Sequence, residues 1–325
     1  MARMFEPEMK TCTFLHFNTV NSVSADVDDA ALNAVEALCA KYEQLFNRFN
    51  PASQLYALNH ARGEWARVGA ELAQLLRAAL GYCERTGGLF DITMGGVCSL
   101  WDFHRGVVPQ PAALAAARAH VNWRVVEVHD GESAGDACFA RITDSDAWVD
   151  LGGIAKGFIA DGIVRLLRER GATRGIVNLG GNVVCLGEKQ EGKPWQVGLR
   201  KPVPAWECAP EESFAVVSVR DKSVVTSGVY ERCFMRDGRF FHHILDPATG
   251  SPAQTDVLSA TVISDASIDG DGYTTALVIM GIDRALDFVE SLPGVDAVLL
   301  ASDGTVYATS GVRNGKIGLR VLDSI

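Results

Sequence analysis

The order of helix-like and strand-like segments limits the folds open to this chain more than any other feature of its sequence. Apolar residues recur at helical spacing in four segments, at 28–49, 70–85, 111–121 and 155–170. Strand-like segments and one more helix complete the pattern: a strand that ends at 148–151, a hairpin at 175–188, strands at 195–200, 214–219, 223–226, 240–243 and 258–263, a helix that begins near residue 271, and strands at 297–301 and 305–308. Because these segments do not alternate as regular βαβ units, the order favours an α+β fold over a doubly wound sheet.

Charge and cysteine content narrow the classes of function. The chain has 30 Lys and Arg against 40 Asp and Glu, a net charge of −10, with no long block of like charges. This argues against a nucleic-acid surface, and an anionic ligand would need local cations or a metal ion. The eight cysteines are scattered without a C-x-x-C pair, which indicates reduced thiols.

No segment has the apolar length that a membrane helix or a signal peptide needs. The N-terminal residues MARMFEPEMKTCTF lack the apolar core of a leader, and no 18-residue apolar span occurs. We therefore expect no membrane anchor in this chain and a cytoplasmic location, unless a leader has been removed. A length of 325 residues allows one large domain or two closely joined subdomains.

The stretch DGDGYTTALVIMG (269–281) has more oxygen-bearing side chains than a helix start requires. Asp271 is well placed as an N-cap, which is worth about 1 kcal/mol. Capping does not explain Thr274 and Thr275, because threonine is a poor helix former. Asp271 and Thr275 are four residues apart, so on a helix their oxygens can converge on a hard cation such as Mg²⁺. From this segment alone, a cap and a metal site both remain open.

Two glycine-rich segments offer backbone to a ligand. In DLGGIAKGFIAD (150–161), adjacent glycines precede a helix that has Lys156 in its first turn, so backbone amides and a cation face the same end. The segment matches neither G-x-G-x-x-G nor a Walker loop, and a glycine turn with a solvated lysine is an equal alternative. NLGGN (178–182) favours a hairpin turn over a ligand contact.

A third region, 226–250, contains Ser227, Tyr230, His242, His243 and Asp246. A serine hydrolase is not supported, because no G-x-S-x-G elbow is present. The residues DPATG form a good turn. Neighbouring residues of a strand point to opposite faces, so we expect one histidine of the pair to face the core and the other to face solvent.

Seven segments carry a resemblance to a known family. They are NRFNPASQLYALN (47–59), TGGLFDITMGGVCSLWDF (86–103), VDLGGIAKGFIAD (149–161), NLGGN (178–182), TSGVYER (226–232), HHILDPATGSP (242–252) and DGYTTALVIMG (271–281). In this order they resemble the FAD:protein FMN transferases, the ApbE family of flavin transferases, over residues 9–318 or nearly the whole chain.

The resemblance implies a single α+β domain, related to the T-fold, of mainly antiparallel sheets flanked by helices. It also implies an enzyme that uses Mg²⁺ and takes FAD as a substrate. Members of the family transfer the FMN half of FAD to a threonine or serine hydroxyl of an acceptor flavoprotein and release AMP. The product is a flavin linked by a phosphoester, and the acceptor hydroxyl lies beside Gly-Ala in a short motif.

The resemblance also assigns site residues. The metal ligands would be Asp271, Thr275 and the backbone carbonyl of Gly153. The residues that match flavin and adenine contacts are Met9, Phe49, Leu89, Phe90, Asp91, Asp150, Lys156, His243 and Ile244. We assign catalytic roles to Asp271 and to His243, for which we hypothesise a role as general base, because the unperturbed pKa of histidine is near 6.5.

Three positions depart from the family's pattern. Phe49 stands where tryptophan or tyrosine is commoner, Met9-Lys10-Thr11 replaces Met-Gly-Thr, and TMGG (93–96) replaces TVGP. None of these changes removes a predicted metal ligand. Two other functions remain open at this point: an FAD pyrophosphatase that forms FMN and AMP with water as the nucleophile, and a flavin-binding protein without turnover. A periplasmic or thiamine-linked factor is disfavoured.

Overall fold

A computed structural model describes residues 8–130, 137–203 and 212–322, which are built around one eight-stranded sheet. The strands are β1 (Lys10–His16), β2 (Thr19–Ala25), β3 (Ala66–Val68), β4 (Val126–His129), β5 (Cys138–Ile142), β6 (Gly175–Leu179), β7 (Asn182–Leu186), β8 (Trp195–Arg200), β9 (Ser213–Val219), β10 (Lys222–Gly228), β11 (Cys233–Arg236), β12 (Arg239–His242), β13 (Val257–Ser264), β14 (Asp296–Ala301), β15 (Val306–Ala308) and β16 (Gly318–Val321). The α-helices are α1 (Asp29–Phe46), α2 (Gln54–Asn59), α3 (Ala70–Arg85), α4 (Gly95–Cys98), α5 (Pro111–Arg118), α6 (Ala155–Glu169), α7 (Ser267–Met280), α8 (Ile282–Glu290) and α9 (Ser310–Arg313).

The large sheet has the strand order β1-β2-β6-β7-β10-β13-β14-β15, and neighbouring strands in it are antiparallel. Three smaller antiparallel sheets accompany it, with the orders β16-β9-β8, β3-β5-β4 and β11-β12. The prediction of an α+β fold with mainly antiparallel sheets is therefore confirmed.

Strand β14 of the large sheet is covered by apolar side chains on both faces. In β14, Ala297 and Leu299 belong to the main core with α1, α3, α6 and α7, whereas Val298 and Leu300 point into a second core shared with β8 and β9. A strand that is buried on both faces has no polar alternation. This is why residues 297–301 of β14 form a continuous apolar run in the sequence.

The start of α7 corrects one sequence-based prediction. The helix begins at Ser267, one turn before the predicted start, so Asp271 lies inside the helix and is not its N-cap. The N-cap position is Ala266, whose side chain cannot cap. The cap comes from α6 instead, where the Asp161 carboxylate accepts hydrogen bonds from the backbone N–H groups of Ser267 (2.7 Å) and Ile268 (3.0 Å).

The other boundaries are mostly as predicted. Helix α3 has the predicted ends, and the hairpin 175–188 is present as β6 and β7 around Gly180 and Gly181, both with positive φ. The predicted strand that ends at 148–151 is wrong, because only an isolated bridge between Met94 and Trp148 forms there. The pairs β1–β2 and β4–β5 have no counterpart in the predictions.

The described ranges contain free cysteine thiols and no helix that could span a membrane. Six of the cysteines found there are free, namely Cys12, Cys39, Cys83, Cys98, Cys138 and Cys185. Cys208 lies outside the described residues. Within 8–130, 137–203 and 212–322, no helix combines the length and the apolar character that crossing a membrane requires.

The close approach of α6 to α7 depends on the missing side chain of Gly157. A Cβ atom there would lie 2.6 Å from the Ser267 carbonyl oxygen and 2.7 Å from the Ile268 Cα. We expect Gly157→Ala to lower the free energy of unfolding by about 1–3 kcal/mol, because backbone cannot move aside as a flexible side chain can. The measurement is urea unfolding followed by circular dichroism.

The matched control is Gly162→Ala, on the same helix. Its Cβ would lie 3.5 Å from the Tyr42 ring, an ordinary contact. Alanine is favoured over glycine in a helix by up to about 1 kcal/mol, so this variant should be as stable as the wild type or more stable. Equal stability of the two variants would show that the approach of α6 to α7 is not limiting.

Candidate active site

Asp271 is a buried carboxylate held from two sides. Its Oδ2 accepts a hydrogen bond from the backbone N–H of Gly157 (2.6 Å), and its Oδ1 accepts one from Asn182 Nδ2 (3.2 Å). Burial raises the pKa of Asp271, and the nearby ammonium of Lys156 opposes that rise together with the two hydrogen bonds. A buried carboxylate whose charge is partly balanced by a cation is typical of a functional site.

The other oxygen-bearing side chains of this helix separate into two groups. Thr274 is buried and exchanges a hydrogen bond with Ser227 Oγ (2.8 Å), and Asp269 accepts one from the Tyr82 hydroxyl (2.6 Å). The half-buried Thr275 lies one turn after Asp271, and its hydroxyl has no hydrogen-bond partner among the described residues. Asp271 and Thr275 are therefore the pair whose oxygens are available to a ligand.

The donor types of the predicted metal site fit a hard cation. One carboxylate, one hydroxyl and one backbone carbonyl, from Asp271, Thr275 and Gly153, are the oxygen ligands that Mg²⁺ accepts alongside water and substrate phosphate. Gly153 lies against Phe90, because a Cβ at Gly153 would be 3.4 Å from the Phe90 ring. A separate group with metal-binding spacing, His120, Asp144 and Asp146, contains none of the predicted ligands.

Arg48 connects two of the predicted cofactor contacts. Its guanidinium Nε lies 3.1 Å from Asp150 Oδ2, and its Cζ lies 4.3 Å above the centre of the Phe49 ring. The Phe49 side chain is 73% exposed. An exposed ring that is held by a cation presents a flat apolar face, on which a second aromatic system can stack.

Segment 89–91 packs its apolar side chains into the core and hydrogen-bonds its carboxylate within the fold. Leu89 packs against the main core, and Phe90 is buried in it. Both oxygens of Asp91 are occupied: Oδ1 accepts from the Thr93 backbone N–H (2.7 Å), and Oδ2 accepts from that of Trp123 (3.1 Å). Burial raises the pKa of this carboxyl group, and the bonds to Thr93 oppose the rise. The Asp91 side chain therefore holds the loop together, and its predicted cofactor contact would fall to the backbone.

The two adjacent histidines differ in exposure, since His243 is half-buried whereas His242 is buried. His242 is buried, with Nε2 3.1 Å from the Ala253 carbonyl oxygen. His243 follows the last residue of β12, where strand alternation no longer applies, and its Nδ1 is buried without a hydrogen-bond partner in the described residues. A buried nitrogen without a partner fits a position that a ligand completes. Ile244, the next residue, is buried in the main core.

The environment of His243 changes its expected protonation. Burial lowers the pKa of His243 to about 3, and the nearby cations of Arg232 and Lys156 contribute to the shift. The unperturbed pKa near 6.5 therefore does not apply to His243 in the folded protein. The imidazole is neutral at pH 7, which is the form that can accept a proton, and it is a weaker base than free histidine.

This shift predicts a pH dependence of stability. Between pH 6.5 and about 3 the unfolded chain binds a proton at His243 that the folded protein does not, so stability falls as pH falls through this window. By pH 5 the loss from this residue should be about 2 kcal/mol relative to pH 7. Urea unfolding of the wild type and of His243→Gln at both pH values measures it. An equal loss in both proteins would contradict the assignment.

Lys156 lies in the first turn of α6 and influences both reactive groups. Its charge lowers the pKa of Asp271 and of His243, so the ammonium lies near both side chains. No described carboxylate is within ion-pair distance of it. Lys156 and Arg232 are both close enough to His243 to lower its pKa, so two cations lie near this imidazole.

Sequence reasoning missed three residues that organise the site. Asn182 was interpreted as part of a turn, although its side chain contacts Asp271. The contacts of Asp161 and Arg48 could not be predicted from local patterns, because their partners are more than 100 residues away in the sequence. Met9 packs against the second core near β8 and β9, and its predicted flavin contact stays a prediction.

Comparisons with known proteins agree on one family. The model of the ApbE family matches residues 13–299. A relative from Treponema pallidum (strain Nichols), named FAD:protein FMN transferase, is 38% identical over 306 residues, which are 91% of this chain and 83% of the relative. A relative of the same name from Klebsiella pneumoniae (strain 342) is 33% identical over 289 residues, 88% of this chain and 87% of the relative.

Solved structures show the same fold. The ApbE protein of Thermotoga maritima has a TM-score of 0.83 at 26% identity, with 94% of this chain and 99% of that chain covered. The flavinyl transferase ApbE of Pseudomonas stutzeri, in its apo form, has a TM-score of 0.80 at 23% identity, with 95% and 97% covered. The match extends over almost the full length of both proteins.

Proposed function

The chain belongs to the ApbE family, and from that premise we propose that it is an FAD:protein FMN transferase. The enzyme takes FAD as its substrate and attaches the FMN half to a protein acceptor. The observation that carries the proposal is the position of the Lys156 cation near two groups: the buried Asp271 carboxylate, and the neutral His243 imidazole, whose Nδ1 has no hydrogen-bond partner in the described residues. Transfer of a phosphoryl group between two oxygens needs this combination of charge neutralisation and proton acceptance.

The finer steps follow from the chemistry of a pyrophosphate. The acceptor's threonine or serine oxygen forms a bond to the FMN phosphorus, the bond from that phosphorus to the bridging oxygen breaks, and AMP leaves with the bridging oxygen. His243 accepts the proton of the attacking hydroxyl, since its imidazole is neutral. Lys156 lies where a cation stabilises negative charge that builds up on the pyrophosphate oxygens.

The proposed place for a divalent cation is beside Asp271 and Thr275 of α7. Asp271, Thr275 and the Gly153 carbonyl would hold Mg²⁺, which would neutralise charge on the phosphate oxygens. Asp271 is prepared for this role by the two hydrogen bonds that fix its orientation. Thr275 would contribute a hydroxyl that has no other hydrogen-bond partner in the described residues.

The flavin and adenine contacts are also part of the proposal. Phe49 and Phe90 offer aromatic faces, one exposed and one buried beside Gly153, and Ile244 adds an apolar wall. Asp150, held by Arg48, provides an oriented carboxylate at the same end of the site. Leu89, Asp91 and Met9 complete the predicted set. A cytoplasmic location stays a prediction.

The test is incubation with FAD, Mg²⁺ and candidate flavoproteins that carry a threonine or serine beside Gly-Ala, followed by in-gel flavin fluorescence. We expect a covalent fluorescent band on an acceptor and no band after addition of EDTA. A reaction that releases AMP while every acceptor stays unlabelled would replace the transferase by an FAD pyrophosphatase. The absence of both AMP and label would favour a flavin-binding protein without turnover.

A further inference from the structure

A chain of buried hydrogen bonds ends at Asp271. Ser223 Oγ donates to Ser267 Oγ (3.0 Å), Ser267 Oγ donates to Asn182 Oδ1 (2.7 Å), and Asn182 Nδ2 donates to Asp271 Oδ1 (3.2 Å). All four side chains are buried, with Ser223 and Ser267 fully inaccessible to solvent. The chain connects β10, β7 and α7 through the interior of the protein.

The hydrogen bonds of this chain share one direction. A carboxylate can only accept, so the NH₂ group of Asn182 must face Asp271 and its carbonyl oxygen must face Ser267. Every donor therefore points toward the negative charge. Hydrogen bonds in such a series polarise one another, and the effect is greatest in a buried environment.

Asn182 brackets one turn of helix α7. From strand β7 it binds Ser267, the first residue of the helix, and Asp271, four residues later. The backbone N–H of Gly157 holds the other Asp271 oxygen. Each carboxylate oxygen thus receives one hydrogen bond from a rigid element, which fixes the side-chain torsions and leaves further lone pairs on both oxygens.

The hairpin itself does not need the Asn182 side chain. The turn between β6 and β7 is formed by two glycines with positive φ, Gly180 and Gly181, and Asn178 Oδ1 accepts from the Gly181 backbone N–H (2.9 Å). Asn182 pairs with Leu179 in the strand register. The side chain of Asn182 is therefore available for another role, and within the described ranges its hydrogen bonds go to Ser267 and Asp271 of α7.

We propose that Asn182 is a positioning residue that orients the Asp271 carboxylate toward a divalent cation, with Ser267 and Ser223 fixing the orientation of its amide. This inference rests on the proposed function, because it assumes that Asp271 binds the metal. Groups that orient a metal ligand by hydrogen bonding typically change metal affinity by about 10- to 100-fold when they are removed. Asn182 does not touch the substrate in this account and acts through Asp271.

The test is titration of Mn²⁺ into the protein–FAD complex without any acceptor, with free Mn²⁺ measured by electron paramagnetic resonance. We expect Asn182→Ala to weaken Mn²⁺ binding by about 10-fold or more. Ser267→Ala keeps the amide donor but frees its orientation, so a smaller loss of about threefold is expected. Asn178→Ala, in the same hairpin, is the matched control and should bind Mn²⁺ like the wild type.

Folding and FAD binding are checked separately by circular dichroism and by quenching of flavin fluorescence without metal. If Asn182→Ala does not fold, Ser267→Ala decides the question. Wild-type Mn²⁺ affinity in the folded Asn182→Ala and Ser267→Ala variants would overturn the proposal, and so would a wild type that binds no Mn²⁺. The Mn²⁺ titration contains no acceptor, so its result does not depend on FMN transfer. A wild type that binds Mn²⁺ in this titration but never transfers FMN in the labelling assay would overturn the proposed function and leave the role of Asn182 intact.

Discussion

Asp271→Asn should lower the rate of FMN transfer by about 100- to 1,000-fold. The substitution keeps the size of the side chain and removes the negative charge that faces Lys156. Both carboxylate oxygens now accept from N–H donors, Gly157 N and Asn182 Nδ2, and an asparagine would turn its own NH₂ group toward one of them. A donor facing a donor in a buried site loses a hydrogen bond and disturbs the orientation of the group. The rate is measured as AMP release and as flavin fluorescence on the acceptor.

Asp269→Asn is the matched control for this variant. It lies two residues earlier on the same helix, and its carboxylate accepts from the Tyr82 hydroxyl outside the proposed ligand set. We expect this variant to transfer FMN at close to the wild-type rate. An Asp271→Asn enzyme that keeps more than a tenth of the activity, or an Asp269→Asn enzyme that loses as much, would argue against Asp271 as the essential carboxylate.

His243→Ala should lower transfer by about 100- to 10,000-fold, the range expected when a general base is removed. The half-buried imidazole is neutral at pH 7, because its pKa is lowered by desolvation and by the nearby cations of Arg232 and Lys156. FAD binding should persist, since the proposed flavin and adenine contacts are spread over several other segments. The measurement is single-turnover transfer with saturating FAD.

Two comparisons separate the base from a structural role. His104→Ala, in an exposed loop, should leave the rate unchanged. Free imidazole added to His243→Ala should restore part of the transfer rate, because the truncated side chain leaves space for it and supplies the missing proton acceptor. A rate in His243→Ala equal to that of the wild type at neutral pH would rule out the base, and failure of imidazole would favour a positioning role.

Local sequence patterns predicted most of the helices and strands of the fold. Helix α3 and the hairpin of β6 and β7 are specified by nearby residues: an apolar stripe that stops at Gly87, and a glycine pair that adopts positive φ. The α+β class followed from the order of such segments. The seven motifs of the resemblance then indicated which residues to expect at one site.

Features that depend on distant partners were beyond local reasoning. The start of α7 was misplaced because its cap, Asp161, lies on α6. The contact between the Asn182 side chain and Asp271 could not be predicted, because the turn propensity of NLGGN already explains this segment. The lowered pKa of His243 could not be predicted from the sequence, because burial depends on the folding of other segments around this residue.

Transfer of FMN from FAD to a protein is tested most directly by the intact mass of an acceptor flavoprotein. The acceptor is incubated with this enzyme, FAD and Mg²⁺, and the AMP released is quantified in the same reaction. We expect the acceptor to gain the mass of one FMN, less one water, for each AMP released. We also expect that substitution of the acceptor's threonine or serine by alanine abolishes the gain. An acceptor of unchanged mass, with AMP and free FMN accumulating together, would contradict transfer of FMN to a protein.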